Sequence, residues 1–394
     1  MNLHAAAPSQ GASPEPTLRV TMVTPALEQG GANPRGTPAH ILKVSRGLRE
    51  LGVEVSLLET GVDRPFRVAP GHRATSFSQA AWRLPLALSE LAPHVVHAHG
   101  YKAAAAALLP ARLLGVPLVA EPHGVPFPSR RGQPGARPWR SALLIRAEFP
   151  VLRRADLVIA QAEAMRSRLL REGGVDEDRV VVLYPGVAVT EFSGFAGAPA
   201  RVPGRRDGEA VVLYAGTTER YQGLDLLARA QPLLAERGVE TRVVLVLSDA
   251  ATDDAVWQLG FDRARTTLVR PSSNAELPAW FAAADVLVHA RPDVPDNQNV
   301  QSKLGLYLAS GKPVVATGVG DYAALLSDRP GAIVVHPEPR SLADGLARAA
   351  TDPRVATGAH EAGPALARER FDLHGNLQRL LGLYRRLAGG GRLP

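Results

Sequence analysis

The sequence predicts an α/β protein built from two parallel-sheet domains that face one another across a cleft, and three observations carry that reading. A length of 394 residues is more than one ordinary core fills and suits two domains of similar size. Short β-branched runs alternate with helix-like stretches through both halves, the pattern of a parallel, doubly wound sheet. Between the halves, residues 194–209 (GFAGAPARVPGRRDGE) are rich in Gly, Pro and Arg and lack apolar periodicity, as interdomain linkers do.

Residues 1–16 read as a loose Ala/Pro/Ser tail without the charged start and apolar run of a signal peptide. The first domain is expected over 17–193, with strands at Leu18–Thr24, Val53–Glu59, His94–Ala98, Pro117–Glu121, Asp156–Ala160 and Val180–Tyr184. Its clearest helix is Ile41–Leu51, where Ile41, Val44, Leu48 and Leu51 share one face and Gly52 stops the run. After the linker the same grammar restarts over 210–365, with strands at Val211–Ala215, Arg242–Leu247, Thr266–Val269, Asp285–His289, Pro313–Ala316 and Ala332–His336, and a helix at Leu224–Arg237. The last segment, 366–394, holds an amphipathic stretch from Leu373 to Leu387 with Leu377, Leu380, Leu381 and Tyr384 on one face. It is expected to pack back toward the first domain.

Apolar residues make up 45% and charged residues 21%, which describes a globular chain, and no apolar run reaches the roughly 18 residues that span a bilayer. Zero cysteines exclude disulfides and thiolate metal sites, so the cytoplasm is the expected compartment. The net charge of +7 comes from arginine, since Lys43, Lys102, Lys303 and Lys312 are the only lysines. No nucleic-acid-binding motif accompanies that basicity, and a nucleic-acid partner is not expected. The segment Pro128–Arg154, with Arg130, Arg131, Arg137, Arg140, Arg146, Arg153 and Arg154 beside Leu143, Leu144, Ile145 and Phe149, is expected to touch an anionic membrane or a lipid-linked acceptor, unless those apolar residues are core.

Paired sheets of this kind hold ligands between the carboxyl ends of their strands, so the chemistry is sought in the loops there. The first strand leads through Gly30-Gly31 to Gly36-Thr37 and straight into a helix; a phosphate there would meet backbone N–H groups and the positive end of the helix dipole, though the turn also fits a plain loop. His99 and His123 close adjacent strands, where an imidazole either donates to a substrate hydroxyl or developing oxyanion or merely caps the strand. In the second domain, Tyr214–Gly223 again runs strand, glycine turn, helix, with Arg220 as its one cation, suited to a diphosphate. Ser302 and Lys303 open a helix where a cation is disfavoured unless an anion compensates it. In a chain so poor in lysine, that placement points to phosphate.

In order and spacing, GTPAHILKVSRGLRELGVEV, HVVHAHG, LLGVPLVAEPHG, ADLVIAQAEAMRSRLL, VVVLYPGV, LYAGTTERYQGLDLLARA and SKLGLYLASGKPVVAT resemble the family-4 glycosyltransferases over nearly the whole chain after Thr17. The resemblance implies the GT-B fold of two Rossmann-like domains and transfer with retention from a nucleotide diphosphate sugar, the co-substrate, with no other cofactor; no metal is expected, because the candidate loops hold no clustered Asp-x-Asp and fixed cations and oriented N–H groups would take its place. It further implies Gly36 and its neighbours near the donor phosphates and His123 against the transferred sugar as the catalytic residue. The acceptor is unnamed by the sequence, with lipid-linked and polysaccharide acceptors both open, and acceptor identity is expected to reside in Phe127–Arg140.

Two departures stand out. The family's Gly-Arg-x-x-x-x-Lys-Gly clamp reads Gly216-Thr217 and Gln222-Gly223, and its pair of glutamates falls on Gln298 and Leu306. A subset of the family with Tyr-Gln-Gly in the first segment and Lys in the second resembles this version. Arg220, Ser302 and Lys303 are therefore expected on the phosphates, with Gln298, Asn299 or Gln301 at the ribose and His99, Thr217 and Gln222 lining the donor sugar and nucleotide. The four missing residues also motivate a rival, a non-catalytic relative that binds a sugar or partner. An epimerase on the same architecture would need carboxylates in the cleft, and none is well placed in the sequence.

Overall fold

The computed structural model describes residues 17–24, 36–60, 72–75, 77–123, 148–294 and 299–391. Two parallel sheets form the frame. The first contains β1 (Arg19–Thr24), β2 (Glu54–Thr60), β3 (His72–Thr75), β4 (Val95–His99), β5 (Leu118–Glu121), β6 (Leu157–Ala160) and β7 (Val180–Val182), in the order β3-β2-β1-β4-β5-β6-β7. The second contains β8 (Ala210–Gly216), β9 (Thr241–Leu247), β10 (Thr266–Val269), β11 (Val286–His289), β12 (Val314–Thr317) and β13 (Ala332–Val335), in the order β10-β9-β8-β11-β12-β13. Every strand expected from the sequence is present within a residue or two. The addition is β3, whose sequence HRAT has no apolar alternation to announce it.

Both strand orders reverse at one place, between β1 and β4 in the first sheet and between β8 and β11 in the second. At such a switch point the flanking connections leave to opposite sides and open a crevice at the carboxyl ends of the strands. The residues that matter here leave those ends: His99 and Glu121 in the first sheet, Gly216, His289 and Arg291 in the second.

The helix Gly36–Glu50 buries Ile41, Val44 and Leu48 against the first sheet, with Ile41 and Leu48 fully enclosed. Each such side chain contributes about 1.5–3 kcal/mol by leaving water. The last helix, Leu373–Ala388, lies on the same core through Leu377, Leu380, Leu381 and Tyr384. It approaches so closely that a Cβ on Gly47 would make the end of the Leu377 side chain shift.

The chain passes between the two halves twice, and the crossings run side by side: Val187 N–H donates to the Phe371 carbonyl at 2.7 Å and Leu373 N–H to the Val187 carbonyl at 3.0 Å. The first crossing thus precedes the expected linker. Val189 and Phe192 are apolar and packed, with the Phe192 ring 5.4 Å from that of Phe281, and this anchors the segment on the second half. Residues 194–209 then run along that half rather than between the two, tied by Ala200 N–H to the Ala279 carbonyl and by the buried Glu209–Arg242 pair at 2.9 Å. The second crossing comes at Asp372, after a continuous helix Pro353–Phe371 that runs through the expected 365/366 boundary.

Candidate active site

At the carboxyl edge of the first sheet, β4 supplies His97 and His99, β5 supplies Glu121, and the chain beyond β5 supplies His123. The helix after β1 adds His40 and the chain after β6 adds Gln161. Glu121, 4% exposed, gathers them: His40 Nε2 lies 2.9 Å from one carboxylate oxygen, while His97 Nε2 at 3.3 Å and His99 Nδ1 at 3.4 Å face the other. Burial alone would raise the pKa of this carboxyl, but the contacts of His40 and His97 hold it well below the usual carboxylate range. His99 Nδ1 is also 3.2 Å from His123 Nε2, and the two rings stack with centroids 5.4 Å apart. Burial keeps both rings neutral at physiological pH, lowering His123 to about 4 and His99 well below the histidine range.

His40, His99 and Glu121 present ligand atoms within 4.8 Å of one another, the one group among the described residues close enough to hold a metal ion. Behind this cluster the Tyr384 hydroxyl lies 2.6 Å from His97 Nδ1, bringing the last helix into the site.

The second site lies at the β8–β11 switch. Lys303, at the start of the helix Ser302–Ala309, extends its ammonium between the Tyr214 hydroxyl at 3.1 Å and the Gln222 side-chain oxygen at 2.8 Å, 4.3 Å from the Tyr214 ring centre. Burial, and then the nearby Arg291 guanidinium, holds its pKa well below the usual lysine range. Arg291, 2% exposed, reaches the Asn299 carbonyl at 2.6 Å and lies over the Tyr322 ring. Gly223 is left-handed, with φ +73°, and a Cβ on it would run into the Ala290 carbonyl; only glycine lets the Tyr214–Gly223 loop lie this close to β11.

Asn299 joins the two sites: its side-chain amide donates to the His123 carbonyl at 3.0 Å. Asp321 makes a second bridge. It is buried and accepts from the Glu163 and Ala164 amides at 2.5 and 2.7 Å and from the Tyr184 hydroxyl at 3.0 Å, so a carboxylate from the second half caps the helix Glu163–Arg171 of the first.

Of the residues singled out in the sequence, His99 and His123 come together in the first site, Lys303, Gln222 and Thr217 in the second, and Asn299 lies between them. Thr217 Oγ1 stands 3.5 Å from the Gln222 amide. The Gln301 backbone N–H donates to the Tyr322 hydroxyl at 3.1 Å, and the Gln301 side-chain oxygen is buried without a partner among the described residues. Gly36 and Thr37 open the Gly36–Glu50 helix. Ser302 and Arg220 are exposed, and Arg220 takes no part in the Lys303 contacts. The buried second cation is instead Arg291. Gln298 and residues 124–147, including Phe127–Arg140 and most of Pro128–Arg154, lie outside the described residues. Within the remainder of that segment, Phe149 and Leu152 are buried in the core, which corrects the expectation of Phe149 as a contact surface.

The sequence reading missed His40, His97, Glu121, Gln161, Arg291 and Asp321. It found no well-placed carboxylate in the cleft, yet Glu121 stands at its first-domain edge. The strand-end logic that selects His99 and His123 would have found Glu121 at the end of β5 and Arg291 just beyond β11. Asp321 and Gln161 have no such signal, because their partners are remote in sequence.

Residues 34–191 match the family described as Glycosyltransferase Family 4, and residues 209–352 match Glycosyl transferases group 1. The chain is 28% identical to D-inositol 3-phosphate glycosyltransferase 1 of Catenulispora acidiphila, over 97% of this chain and 98% of that one. Its fold is similar to that of sucrose-phosphate synthase from Thermosynechococcus elongatus, with a TM-score of 0.74 at 16% identity over 95% and 100% of the two chains. It is similar also to Anabaena HepE in complex with UDP-glucose, with a TM-score of 0.68 at 17% identity over 93% and 99%. No helix among the described residues is long and apolar enough to cross a membrane. With the GT-B arrangement in both sheets and a matching family in each half, the chain joins a glycosyltransferase family 4 domain to a glycosyl transferases group 1 domain and is a glycosyltransferase.

Proposed function

We propose that the protein transfers a sugar from a nucleotide diphosphate sugar to an acceptor hydroxyl, with retention and without a metal ion. The observation that carries this reading is the Asn299–His123 hydrogen bond, which sets the cationic Lys303–Arg291 site and the histidine site against one another as parts of one cleft. In this mechanism the bond between the anomeric carbon and the diphosphate breaks, the electron pair goes to the phosphate oxygen, and Lys303 with Arg291 stabilises the charge that develops. The acceptor hydroxyl attacks from the face the diphosphate leaves and passes its proton to that departing oxygen. His123 holds a hydroxyl of the transferred sugar. Lys303 and Gln222 stand where the Tyr-Gln-Gly variant of the family lacks its usual Arg/Lys clamp, and UDP-glucose, the ligand in the HepE complex, is the first donor to try. The acceptor class is polar, in keeping with the phosphorylated inositol named for the Catenulispora relative.

The test is incubation of the purified protein with radiolabelled UDP-, GDP- and TDP-glucose, scored for nucleotide release. Release from one of them above a protein-free blank is expected; none, with nucleotide binding intact, would turn the reading to a non-catalytic binding protein.

The reading extends to peripheral contact with an anionic membrane. Leu109 and Leu113 on one helix and Leu86 on its neighbour are 64%, 72% and 60% exposed, and Arg112 stands beside them. Flotation with anionic but not neutral liposomes at physiological salt is expected, and equal recovery from both would remove this part of the proposal.

A further inference from the structure

The histidine site contains a hydrogen-bond chain that fixes where the proton on His123 sits. Gln161, 7% exposed, directs its side-chain nitrogen at two acceptors: Glu121 Oε1 at 2.7 Å and His123 Nδ1 at 3.0 Å. A carboxylate only accepts, so the atom of Gln161 that meets Glu121 must be the NH2 group, and the same group meets His123. The orientation of this amide is therefore dictated by chemistry. Glu121 is itself fixed in place by His40 and His97. An imidazole nitrogen that accepts a hydrogen bond carries no proton, so the neutral His123 ring carries its single proton on Nε2, the atom 3.2 Å from His99 Nδ1.

We propose that Gln161 and Glu121 are positioning residues for His123: the carboxylate orients the amide, and the amide holds the imidazole in the tautomer whose Nε2–H is presented as a donor. This rests on the reading of His123 as the residue beside the transferred sugar. In the free protein that Nε2–H faces His99 Nδ1; with a sugar nucleotide bound, a sugar hydroxyl takes the place of His99 as its acceptor, and the ring serves as a hydrogen-bond donor that does not cycle a proton. Left to itself a neutral imidazole divides between two tautomers, and one of them would turn a bare nitrogen toward the hydroxyl's oxygen lone pairs. Glu121 thereby acts on the reaction through Gln161 and is not a group that touches the sugar.

The full chain labelled with 15N at histidine provides the test, through long-range 15N–1H correlation spectra at pH 7, with the His123 signals identified by their loss in His123→Ala. The wild type should show a bare Nδ1 and a protonated Nε2 on His123. Gln161→Met should release the ring into a mixture of tautomers, and Gln161→Glu, nearly isosteric, should draw the proton onto Nδ1 and raise the pKa of the ring. The proposal is overturned by a wild-type proton on Nδ1, or by an unchanged tautomer in both variants. With a sugar nucleotide that the enzyme cleaves, Gln161→Met should lower kcat by about a hundredfold while KM stays within about twofold. Full turnover in His123→Ala would overturn the parent reading and with it the catalytic meaning of the chain. An inactive His123→Ala beside a fully active Gln161→Met would overturn the positioning role alone.

Discussion

The two switch points of this molecule are built from the same topology and filled with opposite charge. In the first sheet, four side chains converge on one buried carboxylate, Glu121: Gln161 donates a hydrogen bond to it, and His40, His97 and His99 each bring a ring nitrogen within 3.4 Å. In the second, the half-buried Lys303 and the buried Arg291 lie among tyrosine rings and the side chain of Gln222, with no carboxylate among the described residues in hydrogen-bond contact with Lys303. The stacked His99 and His123 rings, kept neutral by burial beside a fixed anion, settle proton positions before any ligand arrives. A lysine pushed below its ordinary pKa by burial is incomplete until an anion does arrive. The fold supplies two equivalent crevices, and the side chains at the strand ends decide which one orients and which one binds.

The strongest test of that division is His123→Ala. Turnover should fall by about a hundredfold to ten-thousandfold, while nucleotide affinity by calorimetry stays within about threefold, because the ring acts in the transition state. Near wild-type turnover with a lowered Tm would make the histidine structural and end the comparison.

The complementary change, Lys303→Ala, should weaken nucleotide binding tenfold to a hundredfold, the roughly 1.5–3 kcal/mol of a charge-assisted contact. Thr217→Arg in that background should restore part of the loss. Binding to the wild type should also take up a proton, more so as pH rises from the depressed pKa of Lys303 toward the ordinary lysine range, because a diphosphate beside the ammonium raises the pKa that burial lowers. Calorimetry in buffers of different ionisation enthalpy reads both quantities, and unchanged affinity in Lys303→Ala would place the phosphates elsewhere.

The first site should also make the fold acid-sensitive. His123 binds its proton less readily in the folded chain than in the unfolded one, so its stability contribution is present above about pH 6.5 and is lost as pH falls through about 4. Urea melts across that range should steepen with acid in the wild type and less so in His123→Ala; identical profiles would mean that the ring is not held neutral.

The smallest change is Tyr384→Phe, which removes only the hydroxyl beside His97 Nδ1. A loss of about 1–3 kcal/mol in chemical denaturation is expected, with nucleotide affinity unaltered.

The frame was legible in the sequence because β-branched runs and helical periodicity are local signals, and parallel strands buried on both faces announce themselves as apolar stretches such as Val243–Leu247. His99, His123 and Lys303 were legible because each stands at the end of a strand or the start of a helix. Gln161 and Asp321 were not. The first is defined by a carboxylate on another strand, the second by amides some 157 residues away in the chain. Arg220 shows the opposite failure: a lone arginine in a glycine-rich loop looks purposeful in sequence, yet the loop turns it outward while Arg291, one of many arginines, is the one enclosed.

The Tyr384–His97 contact also has a consequence for how the protein is made. The strands of the first sheet are all synthesised by Val182, but the helix that covers Ile41, Val44 and Gly47 and reaches His97 is not synthesised until after Asp372. A nascent chain that has finished its first sheet must carry that apolar face uncovered while the whole second domain is translated and folds. Maturation of the first-domain site is thus a late event in biosynthesis, and an N-terminal fragment ending at Val187 should be prone to aggregate and to be captured by chaperones that bind exposed apolar surface.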